Sequence, residues 1–181
     1  MLSSNIKFQN FRIISSKNNI SKIFKDLKKN FKNKNDLFLL SLSKRYNDSF
    51  KLKDLKKYKK FKYFSVIGMG GSSLGAKAIY SFLKSKIRKK FSFYDNLTNH
   101  SLKNKNKKKL NIVISKSGNT LETIVNLNTL KNIDNSIFIT EKNSNYLRKI
   151  ALELKKEIFE HKNFIGGRYS VLSEVGMLPA E

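Results

Sequence analysis

The sequence has no cysteine, no tryptophan and one proline, and only 13 acidic residues stand against 38 lysines and arginines. Each shortage excludes something. Without cysteine there is no disulfide and no thiolate metal site. The two histidines, His100 and His161, lie far apart and form no ligand spacing, so no metal is expected. No apolar run approaches the ~20 residues that cross a bilayer, and no membrane partner is expected. The stretch before the first acid, Asp26, is basic and Ser-rich. That is the composition of a transit peptide, but the whole chain is equally poor in acids. A secretory signal fails for want of a continuous apolar stretch. The default location is cytoplasmic.

What is abundant is lysine and asparagine. The formal net charge is +25. Such a charge has two readings: neutralisation of nucleic-acid phosphates, or drift toward Lys, Asn, Ile and Phe in an AT-rich coding sequence. The densest clusters, "LKKNFKNKN", "LKDLKKYKKFK" and "LKNKNKKK", fall in surface helices and a loop. Drift is the favoured reading, and nucleic acid is expected only as a nonspecific partner, if at all. With 181 residues and 39% apolar content, the chain reads as one domain that buries a core.

Residues 1–60 read as an N-terminal helical segment. "ISKIFKDLKKNF" puts Ile20, Ile23, Phe24, Leu27 and Phe31 on one stripe. "DLFLLSLSKRY" is a second, more apolar helix, and "LKDLKKYKK" a short solvated third. From residue 61 the pattern alternates. Strands are expected at "YFSVIG", "KFSFYDN", "LNIVISKS", "SIFITE" and "EIFEH". Helices between them are "SLGAKAIYSFLKSKI", with Leu74, Ala78, Ile79, Phe82 and Leu83 inward, "NTLETIVNLNTLKNI", with Leu121, Ile124, Val125 and Leu127 inward, and "SNYLRKIALELKK". "SVLSEVGML" opens a last helix, and 98–109 is the expected mobile loop. Strands alternating with helices imply an α/β domain of three layers, a mostly parallel sheet covered on both faces.

The glycines of "VIGMGGSSLG" follow the first strand and open a helix. A Walker A loop needs Lys where Ala76 stands. A dinucleotide fingerprint keeps Gly68 and Gly70 but has Ser73 for its third glycine, with Asp95 available for a ribose. A tight strand–helix connection is the plain alternative. A sugar phosphate is the third reading, and it draws on a second strand–helix loop, "ISKSGNTLET". Ser115, Ser117 and Thr120 offer hydroxyls, Lys116 a charge, and Gly118 a tight turn. The following helix presents free N–H groups and the positive end of its dipole. This suits a phosphate monoester. Asn119 and Glu122 also have the spacing of a capping box.

"IGMGGSSLGAKA", "ISKSGNTLET" and "GGRYSVLSEVGMLP", in this order, resemble three signatures of the glucose-6-phosphate isomerase family. The first two occur more loosely in other sugar-isomerase (SIS) domains; the third is far more specific. The resemblance covers about residues 60–181. It implies an SIS-type domain in which Ser115, Lys116, Ser117 and Thr120 hold the substrate phosphate. Gly71 and Ser72 would line the sugar, and Arg168 would be catalytic, with Glu122 and Gly167 supporting the site. It further implies an aldose–ketose isomerase that interconverts glucose 6-phosphate and fructose 6-phosphate through a cis-enediolate. No cofactor or metal is implied. A phosphorylated sugar is the partner, and the full-length protein is expected to be a homodimer. In the family the glutamate base and the ring-opening histidine lie downstream of the Gly-Gly-Arg segment. Residues 61–181 therefore correspond to the first SIS domain, and the chain is expected to be truncated before the second, lacking the base. The alternative is a non-catalytic SIS module that binds a sugar phosphate within a regulator.

Overall fold

The computed structural model describes residues 17–32, 41, 46–97, 108–130 and 132–181. Five short strands form one parallel sheet: β1 (Tyr63–Ile67), β2 (Lys90–Tyr94), β3 (Lys109–Ile114), β4 (Ser136–Thr140) and β5 (Glu157–Glu160), in the order β2-β1-β3-β4-β5. Before the sheet come α1 (Lys17–Lys32), α2 (Leu52–Leu55) and a 3₁₀ turn (Lys56–Tyr58). Helices α3 (Gly71–Leu83), α4 (Leu121–Asn128), α5 (Tyr146–Glu153) and α6 (Glu174–Ala180) cover it. The central strands β1, β3 and β4 are almost wholly buried and mostly apolar on both faces, whereas the edge strands β2 and β5 are only partly buried and carry Lys90, Glu157 and Glu160. Phe64, Val66, Leu110, Ile112, Ile114, Ile137 and Ile139 pack on one side with Val175 and Leu178 of α6. Ile67, Val113 and Phe138 pack on the other with Leu127 of α4 and Leu147 and Ala151 of α5. The α/β three-layer expectation is met.

The helical reading of 17–60 is corrected at 46–51, which is not helical. The expected second helix and the 98–107 part of the expected loop, including His100, lie outside the described residues, apart from Ser41 and Tyr46. The apolar stripe of α1 exists but is not buried: Ile20, Ile23, Phe24 and Leu27 are all exposed. The side chain of Phe31 lies outside the described residues.

Two inward faces are also corrected. On α3, Leu74, Ala78 and Phe82 point outward, with Phe82 86% exposed, while Ser73 and Ala76 are buried. The reason is close approach. A side chain on Gly75 would strike Val171 in the 3₁₀ turn Gly167–Leu172, so this face of α3 must be small. Ile79 and Leu83 remain half-buried and line an apolar cavity of about 170 Å³ with Phe64, Ala76, Leu110 and Leu178. On α4, Leu121 and Val125 are exposed, whereas Thr123, Asn126 and Leu127 are buried. Asn126 is drawn in by a polar contact, since its Nδ2 donates to the Asn96 carbonyl at 3.2 Å.

Candidate active site

In a parallel sheet, ligand sites form beyond the carboxyl ends of the strands, where the chain reverses its direction of winding. Here β1 is followed by β2 on one side, and the chain then returns to β3 on the other. The reversal lies between β1 and β3. The loops that leave these two strands carry the first two glycine motifs, and the Gly-Gly-Arg motif packs against the first of them at Gly71.

The loop after β3 is built inward as much as outward. Ser115 is buried; its Oγ lies 2.9 Å from Thr120 Oγ1 and accepts from the Gly118 N–H at 3.1 Å. Its hydroxyl thus holds the turn in shape. Ser117 is exposed, Thr120 and Lys116 are half-buried, and the Asn119 N–H donates to Ser117 Oγ at 3.4 Å. Gly118 has a positive φ of 68°, and a Cβ there would collide with the Asn145 side chain. Glycine is required on both counts. Helix α4 starts at Leu121 with Thr120 as N-cap, and no side chain caps it. The capping box expected of Asn119 and Glu122 is therefore absent. Asn119 Oδ1 instead accepts from the Tyr146 N–H at 3.1 Å, at the start of α5. Glu122 is half-buried in the first turn of α4. The leading N–H groups of such a helix have no intrahelical acceptor, and they open toward the loop.

The neighbouring loop 141–145 clamps this turn. Glu141 and Leu147 donate backbone N–H groups to the Lys116 and Gly118 carbonyls at 3.2 and 2.9 Å. Asn145 caps α5 by accepting from the Arg148 N–H at 2.8 Å. Sequence reading missed Asn145, although an Asn just before an apolar helical pattern is an N-cap signal. The ammonium of Lys116 donates to the Asn163 carbonyl at 2.8 Å and lies 3.4 Å from Glu141 Oε1. Lys116 therefore bridges the β3 loop to the loop that leads to Arg168.

The glycine loop after β1 meets that same turn. A Cβ on Gly71 would overlap the Gly167 carbonyl. Ser170 Oγ donates to the Gly167 carbonyl at 2.7 Å and reaches the Gly71 carbonyl at 3.3 Å. Gly71, Ser72 and Gly167 are half-buried at this contact. Arg168 is exposed and makes no hydrogen bond or ion pair with the described residues, so its guanidinium is not spent on loop carbonyls. Asp95, the residue a dinucleotide ribose would need, is paired with Lys77 at 2.8 Å. Among the described residues no group of side chains could hold a metal ion, and no helix is long and apolar enough to cross a membrane.

We expect Gly71→Ala to lower thermal stability, because backbone faces backbone at this contact and neither side can rotate away. Overpacking of this kind costs about 1–3 kcal/mol, or roughly 2–12 °C in melting temperature for a chain of this size. A calorimetric or circular-dichroism melt beside the parent protein measures it; an unchanged melting temperature would show that the two loops are not in close contact.

The phosphoglucose isomerase family model matches residues 44–181. The chain belongs to that family. Its curated relatives include the glucose-6-phosphate isomerases of Acholeplasma laidlawii, 39% identical over 150 residues, and of the aster yellows witches'-broom phytoplasma, 37% identical over 159. Each alignment covers 72% of this chain but only 35% and 37% of the relative. The chain thus spans about a third of the length of these two isomerases. Among solved structures, a hypothetical protein of Thermus thermophilus superposes with a TM-score of 0.60 at 30% identity, over 71% of this chain and 35% of that one. The Vibrio vulnificus NanR protein, solved with ManNAc-6P, shares the fold at a TM-score of 0.51 and 20% identity, over 70% of this chain and 48% of that one. The three motifs that converge at the β1/β3 reversal all lie within the matched segment.

Proposed function

We propose that this chain carries the sugar-phosphate-binding part of a glucose-6-phosphate isomerase active site. Residues 61–181 act as its first SIS domain, preceded by an N-terminal segment that is helical at Lys17–Lys32 and Leu52–Leu55. The observation that carries the reading is the packing of the Gly167–Arg168 turn on Gly71, with Lys116 tying the β3 loop to Asn163 just before that turn. Ser117, Thr120 and Lys116, with the leading N–H groups of α4, receive the phosphate. Ser115 contributes by keeping the turn closed. Gly71 and Ser72 line the sugar, with Gly167 setting the distance, and Glu122 orders the first turn of α4. Arg168 faces the O1/O2 edge, where an enediolate develops negative charge. A fixed guanidinium stabilises that charge more in the transition state than in the substrate. The complete enzyme works as a cytoplasmic homodimer without metal or organic cofactor.

Binding is testable on the chain itself. In an NMR titration with 6-phosphogluconate, backbone amides of Ser115–Thr120 are expected to shift saturably. Shifts confined to the lysine-rich segments 53–62 and 103–109 would mean nonspecific anion binding and would refute the assignment.

A further inference from the structure

Arg168 sits on an excursion between two fixed feet, the end of β5 at Glu160 and the start of α6 at Glu174. One short stretch of chain, far away in sequence, touches both feet. Ser49 Oγ donates to the Glu160 carbonyl at 2.7 Å. The Ser49 N–H and the Tyr46 hydroxyl both donate to Glu174 Oε1, at 2.9 and 2.8 Å. Glu174 is fully buried, and its second oxygen, Oε2, is buried without a hydrogen-bond partner among the described residues. A buried carboxyl that keeps an unsatisfied oxygen is costly. Its retention inside an otherwise apolar helix, among Val175, Leu178 and Met177, calls for a role that an apolar residue could not fill.

From Glu174 the contact runs to the Arg168 turn in two steps. Ser173 Oγ donates to the Ser170 carbonyl at 2.7 Å, and Ser170 Oγ donates to the Gly167 carbonyl at 2.7 Å. We propose that Tyr46, Ser49 and Glu174 are positioning residues for Arg168: the 46–49 segment ties the two feet of its loop together and so fixes the backbone from which Arg168 projects. The proposal rests on the reading of Arg168 as an active-site residue for its functional meaning, but the tie itself is a property of this chain. It accounts for the burial of a carboxyl whose hydrogen-bond donors among the described residues are Tyr46 and Ser49. Burial and the adjacent Glu174 carboxyl push the Tyr46 phenol far above its ordinary pKa, so the hydroxyl keeps its proton and remains a donor at any working pH.

Hydrogen exchange on the whole 181-residue chain tests this. Tyr46→Phe keeps the ring and removes one donor. It is expected to speed exchange of the amides from His161 to Ser173 by about 10–100-fold, the scale of one hydrogen bond to a charged group. Amides of Ile112–Ile114 and Phe138 in the sheet should keep their parent rates. Ser49→Ala should act on the same segment, strongest near Glu160. Glu174→Ala should reproduce the Tyr46→Phe pattern, and Glu174→Gln, which keeps the accepting oxygen, should restore most of the protection. Acceleration spread evenly over sheet and loop would mean a purely global role and would overturn the proposal, as would unchanged rates at 161–173 in Tyr46→Phe. The 6-phosphogluconate titration run on the same samples separates the two readings: absent shifts at Ser115–Thr120 in the parent protein would sink the functional assignment while leaving the exchange result to stand or fall by itself.

Discussion

Arg168→Ala, made in a protein extended to the length of its isomerase relatives, is expected to lower kcat by about 10²–10³-fold while changing KM little. Loss of one preorganised charge-stabilising group has that size. The split between kcat and KM follows from when the interaction forms. The substrate's O1 and O2 are neutral oxygens; only the enediolate concentrates charge there, so the guanidinium acts mainly in the transition state. Arg168 is exposed and unpaired with the described residues, and its removal orphans no buried partner among them. The variant should therefore melt like the parent, which makes the kinetic loss interpretable. Arg168→Lys should recover only part of the rate, because a point charge on a flexible stem does not reproduce a planar fork. A rise in KM with unchanged kcat would show that Arg168 binds substrate and transition state alike.

The polypeptide of residues 1–181 alone is expected to give no measurable conversion of glucose 6-phosphate in a coupled assay. An arginine stabilises an enediolate only after a base has taken the proton from carbon, and positioned proton transfer is worth about 10²–10⁴-fold. The family resemblance puts that base, and the histidine that opens the sugar ring, downstream of the Gly-Gly-Arg segment. Three carboxyls near the candidate site are otherwise engaged. Glu141 lies beside Lys116, Asp95 is paired with Lys77, and Glu174 is buried under Tyr46 and Ser49. Glu122, half-buried in the first turn of α4, has no such partner among the described residues. If the 181-residue polypeptide did turn over, and Glu122→Gln abolished the activity, Glu122 would be a substitute base and the division of labour proposed above would be wrong. The extended protein, assayed alongside, shows that the assay detects the reaction.

The alternation of strands and helices after residue 61 was legible in the sequence, because short segments rich in apolar residues are separated by stretches with apolar residues three and four positions apart. The sequence also marked the two loops that flank the β1/β3 reversal as rich in glycine and hydroxyls, a composition that a tight connection or a helix cap would share. Arg168 is singled out by the resemblance of "GGRYSVLSEVGMLP" to a family signature; its local composition alone assigns it no role. Which face of a helix is buried was not legible. Leu74, Ala78 and Phe82 form a regular apolar stripe, yet that stripe points outward. The 3₁₀ turn at Val171 packs on α3 and leaves no room for a side chain at Gly75, and that contact joins residues almost a hundred positions apart. Periodicity reports that a helix has an apolar face; what packs on the helix is decided by chain segments remote in sequence. The same holds for the hydroxyls and amides of the site. Ser115 turns inward to close its own loop, and Asn119 serves α5 instead of α4. The tie from Tyr46 and Ser49 to Glu174 crosses most of the chain. Hydrogen bonds of this kind carry no local pattern, because their partners meet only after β5 and α6 have been laid against the sheet.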